Sequence, residues 1–300
     1  MRKTAKILAI VIPVAALVGW LTWYLRRHSV AVLQPTGELG HKELHLIILA
    51  CLLAIIVVVP TFALTIFIAL RYRESNHQKS HKKITYSPDF DHSRLFETIW
   101  WGIPIIIITI LSVVTWQSSH ALDPYKALAS KHKPLVIEVV ALDWKWLFIY
   151  PEQHVAVVNM AEIPTNVPIN FHVTSDAVMN SFWIPQLGGQ VYAMPGMDTQ
   201  LHELADQPGS FFGSPANIAG SGYARMDFTV KAVSQSQFKA WANDVKQVAP
   251  QLTMADYQAL TKPSQSVPIT FYADTPRGLY DTILLKYMMP HVTNFGDNQG

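Results

Sequence analysis

Two long apolar stretches dominate the first part of the chain. Residues 46–70 contain no charged side chain, and neither do residues 99–116. About 20 apolar residues in a helix are enough to cross the hydrocarbon core of a bilayer. Trp100 and Trp116 lie near the two ends of the second stretch, where tryptophans anchor helices at the membrane interface. The pattern predicts two membrane-spanning helices.

The segment between these stretches is basic. It contains six cationic residues: Arg71, Arg73, Lys79, Lys82, Lys83 and Arg94. Short loops rich in lysine and arginine remain in the cytoplasm, so the chain after about residue 118 is expected on the outer face of the membrane. In a bacterium this outer compartment is the periplasm.

A third uncharged stretch covers residues 7–25 and follows Arg2, Lys3 and Lys6. This is the pattern of a signal peptide, but Arg26 and Arg27 follow directly and favour a retained helix. We therefore expect residues 1–40 to form a signal or signal-anchor segment. Residues 41–120 are expected to form a transmembrane hairpin with a cytoplasmic basic loop.

The pattern changes after Pro134 to short apolar or alternating segments separated by Pro, Gly, Asn and Asp. These segments read LVIEVVAL, WKWLFIY, VAVVNM, VPINFHVTS, SFWIPQL and RMDFTV. Short strands at roughly ten-residue spacing are typical of a β-sandwich, which we place at residues 121–232. Three helical patterns follow in residues 233–300, and in the first of them Phe238, Trp241 and Val245 share one face.

Composition narrows the classes of function. The net charge is +2, and no basic stripe interleaved with aromatics is present, which excludes a typical nucleic-acid-binding face. Cys51 is the single cysteine, so no disulfide forms within the chain. No Ser-His-Asp order, glycine-rich phosphate loop or catalytic carboxylate pair can be identified, so the isolated chain is expected to be non-catalytic.

Two motifs in the predicted sandwich are distinctive. The first reads VMNSFWIPQLGGQVYAMPGM and contains Ser181, Phe182, Trp183, Pro185, Leu187, Gly188, Pro195 and Gly196. The second, DWKWLFIYPE, is an aromatic loop containing Trp144 and Trp146. Together with the predicted hairpin, their order and spacing resemble subunit II of the haem-copper respiratory oxidases. The resemblance implies a membrane α-helical hairpin plus an all-β cupredoxin-like sandwich, with a C-terminal helical and aromatic-rich extension.

In the cytochrome c oxidases of this family the sandwich holds two copper ions. Their ligands are a His before Ser-Phe-Trp and a late loop containing two Cys, a His and a Met. The resemblance places the following residues at these positions: Asn180, Pro215, Ala219, Tyr223 and Met226. The acidic residue between the cysteines, which helps to bind magnesium, is replaced by Asn217. A lone thioether does not hold copper, so we expect no metal in this subunit and small residues that close the space.

The emptied ligand set is similar to subunit II of the cytochrome bo-type ubiquinol oxidases, whose electron donor arrives through the membrane. This resemblance implies an aerobic, proton-translocating complex in the bacterial inner membrane. Its haems and its copper would lie in a partner, subunit I, and ubiquinol would be the substrate of the complex. Subunit I, the smaller oxidase subunits and the lipid bilayer are the implied partners, and the sandwich would be periplasmic.

Glu97 is the most interesting titratable residue, because it begins the second apolar stretch in ETIWWGIP. The motif is similar to one that lies near a proton-uptake channel in the family, although Trp101 stands where the motif has Thr. A capping or interfacial glutamate is the alternative interpretation. Trp144 matches the position that passes electrons to copper in copper-bearing relatives, and without copper it is expected to be a packed surface aromatic.

Other interpretations remain open. The complex could use menaquinol, the chain could be a copper-bearing cytochrome c oxidase subunit, or it could be a stand-alone, membrane-anchored cupredoxin-like assembly or binding protein. A copper or zinc site made from His154, His172 and His202 has no support from their spacing. His172 is instead expected on the polar face of a strand.

Overall fold

The computed structural model describes residues 30–71, 92–128, 130 and 132–288, together with six isolated positions before residue 30. Most of the N-terminal apolar stretch, residues 7–25, and most of the basic loop lie outside the described residues. The chain divides into two compact units. One unit contains residues 43–123, and the other contains the remaining described residues.

Two long helices correspond to the predicted spans. Helix α1 covers Glu38–Arg71 and helix α2 covers Arg94–Ala121, so each is longer than its uncharged stretch. Both are long and apolar enough to cross a membrane, with mean hydropathies of 3.0 and 2.1 over their most apolar windows. Each contains one proline, Pro60 or Pro104, without ending there. Membrane helices tolerate proline where neighbouring groups satisfy the freed backbone.

Eleven strands follow in the described chain, and ten of them lie before residue 234. In chain order they are β1 Leu135–Leu142, β2 Lys145–Tyr150, β3 Val155–Val158, β4 Met160–Pro164, β5 Ile169–Ser175, β6 Asn180–Trp183, β7 Gln190–Ala193, β8 Thr199–Glu203, β9 Gly209–Pro215, β10 Phe228–Val233 and β11 Thr270–Tyr272. One sheet has the order β11-β3-β2-β1-β5-β8 and the other has the order β4-β10-β9-β6-β7. The predicted sandwich is thus confirmed.

The main core lies between the two sheets. Strand β1 sends Ile137, Val139 and Ala141 into it, as the alternation of side chains along a strand requires. Phe182 of β6 and Phe228 of β10 stack with ring centroids 5.1 Å apart and planes 7° apart. These aromatic rings belong to the close-packed interior of the sandwich.

The segment VAVVNM forms two strands and not one. Strand β3 pairs with β2 in the first sheet, whereas β4 pairs with β10 in the second. Asn159 lies between them with φ 58°, a left-handed conformation that asparagine tolerates better than most residues. Its Oδ1 accepts a hydrogen bond from the Trp146 backbone at 2.9 Å, and its Nδ2 donates to the Val267 carbonyl at 2.8 Å. These bonds fix the point at which the chain changes sheets.

The last part of the chain adds the three predicted helices and one edge strand. Helix α3 covers Gln235–Val248, α4 covers Met254–Leu260 and α5 covers Leu279–Met288. Strand β11 joins the free edge of β3. We call residues 252–288 the C-terminal cover, because their apolar side chains bury the outer face of the first sheet. That contact consists of Val140, Leu142, Leu147, Ile149, Ala156 and Val158 from the sheet, and of Leu252, Tyr257, Leu279, Tyr280 and Ile283 from the cover.

Candidate functional site

The positions that resemble copper ligands belong to one end of the sandwich. Asn180 begins β6, Pro215 ends β9, and Tyr223 begins a single 3-10 turn. The loop after β9 is tied to β6 because Ser181 Oγ donates to Asn217 Oδ1 at 2.8 Å. Asn217 Nδ2 in turn donates to the Met179 carbonyl at 3.0 Å. These hydrogen bonds hold the loop after β9 against the start of β6.

Their side chains serve structural purposes. Asn180 is 1% exposed and donates from Nδ2 to the Val178 carbonyl at 3.0 Å. Met226 is fully buried in the core beside Phe228, and its carbonyl accepts a hydrogen bond from Trp146 Nε1 at 3.0 Å. The one ligand-type side chain that remains in the loop is therefore a core residue.

Trp144 fills the inner side of this loop. Its Nε1 donates to the Ala219 carbonyl at 2.8 Å, and its indole ring lies directly against Gly220 and Gly222. A Cβ atom on Gly222 would come 2.2 Å from the Trp144 ring, and one on Gly220 would come 3.3 Å from it. An aromatic ring thus occupies space that a bulkier loop would need.

The residues present do not fit a dinuclear copper centre. Such a centre needs thiolates that bridge two metal ions, with imidazoles and a thioether beside them. The chain has Pro215, Ala219 and Tyr223 in place of two thiolates and an imidazole, and its one cysteine, Cys51, lies in helix α1. Burial raises the pKa of Asp227 at the end of the loop. A single carboxylate does not replace the missing donors.

The three histidines considered as metal ligands have separate partners. His172 Nδ1 contacts Asp198 Oδ2 at 2.8 Å, and His202 Nδ1 contacts the Pro124 carbonyl at 3.0 Å. His154 lies 3.7 Å from Asp274. Within the described ranges, no three His, Cys, Asp or Glu side chains form a group that could hold a metal ion. His172 does lie on the outer, half-exposed face of β5, as predicted.

Glu97 lies in the first turn of α2, three residues after the helix begins at Arg94. Ser93 caps this turn, because its Oγ accepts a hydrogen bond from the Phe96 backbone at 3.4 Å. The Glu97 side chain is 56% exposed, and its Oε1 lies 3.6 Å from His92 Nδ1. The helix N-terminus favours a negative charge at this position. Capping is performed by Ser93, so the Glu97 carboxylate remains accessible for another role.

Sequence reasoning missed two acidic anchors that hold the C-terminal cover. Asp176, just after β5, accepts hydrogen bonds from Tyr257 Oη at 2.6 Å, Lys286 Nζ at 2.6 Å and Tyr287 Oη at 2.8 Å. Its side chain is 1% exposed. Asp198, just before β8, accepts a hydrogen bond from Tyr280 Oη at 2.8 Å. The signal available in the sequence was the group of four tyrosines at positions 257, 272, 280 and 287.

Two parts of the chain match family models. Residues 147–233 match the family model for the periplasmic domain of cytochrome c oxidase subunit II. Residues 246–291 match the COX aromatic rich motif. The periplasmic domain of subunit II of cytochrome oxidase from Bradyrhizobium japonicum matches with a TM-score of 0.38 and 22% identity, over 41% of this chain and 98% of that one.

Curated relatives match over most of their length. The chain is 48% identical to cytochrome bo(3) ubiquinol oxidase subunit 2 of Pseudomonas putida, over 85% of this chain and 80% of that protein. It is 46% identical to ubiquinol oxidase subunit 2 of Acetobacter aceti, over 85% of this chain and 82% of that protein. Two apolar helices, a subunit II periplasmic domain and an aromatic-rich C-terminal region occur in one chain, which therefore belongs to the family of ubiquinol oxidase subunits 2 among the haem-copper oxidases.

Proposed function

We propose that this chain is the non-catalytic subunit II of a bacterial ubiquinol oxidase and that electrons bypass it. The complex would oxidise ubiquinol, reduce oxygen to water and move protons outward. The observation that carries this proposal is the composition of the loop from Pro215 to Met226. Its ligand positions hold no thiolate or imidazole, and the Trp144 ring packs against its glycines.

A donor from the membrane does not need an electron acceptor in the outer domain. Haems, the catalytic copper and the quinol site would therefore belong to partner subunits of the complex. The two apolar helices support attachment to the membrane, with the sandwich on the periplasmic side. The buried faces of both sheets and of the C-terminal cover support a structural role for this domain.

Turnover of the purified complex tests this proposal. We expect a haem-containing complex that copurifies with this chain, accepts electrons from ubiquinol analogues and fails to oxidise reduced cytochrome c. Oxidation of cytochrome c, together with near-infrared absorption from copper bound to this chain, would contradict it. Faster turnover with menaquinol analogues than with ubiquinol analogues would indicate menaquinol as the electron donor. Isolation of the chain without a haem subunit would favour a stand-alone protein.

We also propose that Glu97 belongs to a proton-uptake route at the cytoplasmic end of α2. Its accessible carboxylate stands at the start of an apolar helix, and an ionisable group at such a place is a functional candidate. We expect Glu97→Gln to slow oxygen reduction by about 100-fold, the lower end of the range for a positioned proton-transfer group. Glu97→Asp should restore most of the rate.

The readout is proton uptake and oxygen consumption by the oxidase in vesicles. Glu38→Gln is the matched control, because Glu38 lies in the first turn of α1 and pairs with Lys42 at 2.6 Å on the exposed helix surface. Haem content and the amount of assembled complex should not change in either variant. Unchanged proton uptake and turnover in Glu97→Gln would show that the residue only stabilises the helix start.

A further inference from the structure

A group of titratable side chains lies between the sandwich and the C-terminal cover, apart from the degenerate loop. We call it the outer-face cluster, and it consists of Glu138 on β1, His172 on β5, Asp198 before β8, and Tyr280 and Asp281 on α5. Glu138 and His172 are register partners on adjacent parallel strands, so their side chains lie on the same face. That face is the one that the cover buries farther along β1, at Val140 and Leu142.

Hydrogen bonds connect the cluster to the cover. His172 Nδ1 lies 2.8 Å from Asp198 Oδ2, and Tyr280 Oη donates to Asp198 Oδ1 at 2.8 Å. Asn170 Nδ2 lies 3.0 Å from His172 Nε2 on the other side of the ring. Tyr280 is 5% exposed and belongs to the apolar contact between cover and sheet. Helix α5 is therefore hydrogen-bonded, through Asp198, to titratable groups of the sandwich.

The cluster has more acidic than basic groups. Asp281 follows Tyr280 on α5, Asp198 contacts His172, and Glu138 completes a set of three carboxylates beside one imidazole. Burial, and then the charge of Asp281, raise the pKa of Glu138 to about 7, although His172 acts against this shift. The hydrogen bond to Asp198 raises the pKa of His172 above its ordinary value of 6.5.

We propose that the outer-face cluster is a pH-responsive latch, which holds α5 of the C-terminal cover on the sandwich at acidic pH and loosens it as the outer compartment becomes alkaline. At acidic pH a neutral Glu138 and a cationic His172 accompany the two aspartates. At alkaline pH the cluster contains three charged carboxylates, and its imidazole is neutral. Repulsion then weakens the hydrogen-bonded contact through Asp198 and Tyr280.

Both pKa shifts act in the same direction. Glu138 binds its proton more tightly in the folded chain than at its ordinary pKa of 4.5, so its ionisation removes stability as pH rises from there to about 7. The stability that cationic His172 contributes is fully present below 6.5 and is lost as pH rises through its raised pKa. Docking should therefore weaken through neutrality and not at strongly acidic pH.

Hydrogen exchange of the intact oxidase complex, followed by mass spectrometry, measures this docking directly. Protection of α5 is compared at about pH 5.5 and about pH 8.5, after correction for the intrinsic exchange rate, because these values bracket the titration. We expect local opening to increase by about tenfold at the higher pH. The full pKa shift of Glu138 would correspond to a larger increase in opening. Two effects reduce the increase: solvent screens the charges because Glu138 is partly exposed, and the sheet still surrounds Glu138 after α5 has detached.

Three variants distinguish a latch from a general weakening. Glu138→Gln should remove most of the pH dependence while keeping α5 protected. Asp281→Asn, an exposed change, should reduce the dependence because it removes one of the three negative charges. Asp176→Asn should lower protection equally at both pH values, because it breaks the separate anchor of Lys286 and Tyr287. Unchanged pH dependence in both Glu138→Gln and Asp281→Asn, or none in the unmodified complex, would overturn the proposal.

Discussion

Trp144 shows how single residues determine the structure of the degenerate loop. Its φ of 61° is a left-handed conformation that bulky residues adopt only when their surroundings hold them. The hydrogen bond to the Ala219 carbonyl and the contact with Gly222 supply that support. The indole ring of Trp144 therefore holds the loop in place. Glycine is required at positions 220 and 222 because the ring lies close to the backbone there.

This arrangement makes a prediction at the level of one atom. Gly222→Ala should lower the free energy of unfolding of the sandwich by about 1–3 kcal/mol, because the added Cβ overlaps a ring that has little room to move. Ser221→Ala is the control, since Ser221 is exposed. Chemical unfolding of the purified chain in detergent measures both changes.

The same alanine should be tolerated when the ring is absent. In a Trp144→Ala background, Gly222→Ala is expected to cost less than about 0.5 kcal/mol, since residues in contact are not additive. Equal costs in both backgrounds would show that Trp144 does not restrict the loop.

Secondary structure elements were largely predictable from local patterns. Strand β1 covers the residues of LVIEVVAL, and the three C-terminal helices fall within the helical patterns. Two of those helices begin with capping boxes, at Ser234 and Thr253, which are short-range signals. The periodicity of apolar and polar residues is a property of each segment by itself, so it predicts the type of element without information from the rest of the chain.

Pairing of these elements was not predictable in the same way. The change of sheets at Asn159 splits one apolar run, because alternation does not indicate which neighbour a strand will have. The anchors of the cover join residues 81 and 82 positions apart, Tyr257 with Asp176 and Tyr280 with Asp198. Asp176 and Asp198 look like ordinary turn residues in the sequence, and only the fold brings the tyrosines to them.

The motif predicted only where the candidate ligand positions lie in the fold. The motif placed Asn180 and the late loop at one end of the sandwich, and the structure ties them together there. The contact of Trp144 with the inside of that loop was not predictable. In the sequence, a tryptophan that holds a loop in place looks the same as one that packs on the surface. The sequence did not predict a role for Glu138 or Asp198, because neither belongs to a motif.

At the scale of the whole molecule, the chain at the start of α1 belongs to the same compact unit as the sandwich. The Thr36 backbone N–H donates to the Gln186 carbonyl at 2.8 Å, and the Gly40 N–H donates to the Leu187 carbonyl at 3.0 Å. Asp206 returns a bond from its N–H to the Thr36 carbonyl at 3.0 Å. The LGG sequence at residues 187–189 thus has a structural role, because it belongs to the turn that contacts this segment.

Glycines allow the close approach of these backbones. A Cβ on Gly37 would lie 2.5 Å from the Leu204 carbonyl oxygen, and one on Gly188, whose φ is +93°, would lie 2.7 Å from the Gly40 nitrogen. Neither neighbour is the flexible end of a side chain, so the backbones themselves would have to separate. The hydrogen bonds of Thr36 and Gly40 would then lengthen or break.

We therefore expect Gly37→Ala to lower the free energy of unfolding of the sandwich by about 1–3 kcal/mol, through overpacking and weakened hydrogen bonds. Calorimetry of the intact complex should show a lower unfolding temperature for this domain. Gly102→Ala is the matched control, because Gly102 lies in α2 with nothing within 4 Å of the added Cβ, and alanine favours helices. If both variants unfold like the unmodified complex, the segment before α1 does not contribute to the stability of the sandwich. If only Gly37→Ala is destabilised, the contact between the segment before α1 and the sandwich stabilises the domain, and it requires a residue without a side chain at position 37.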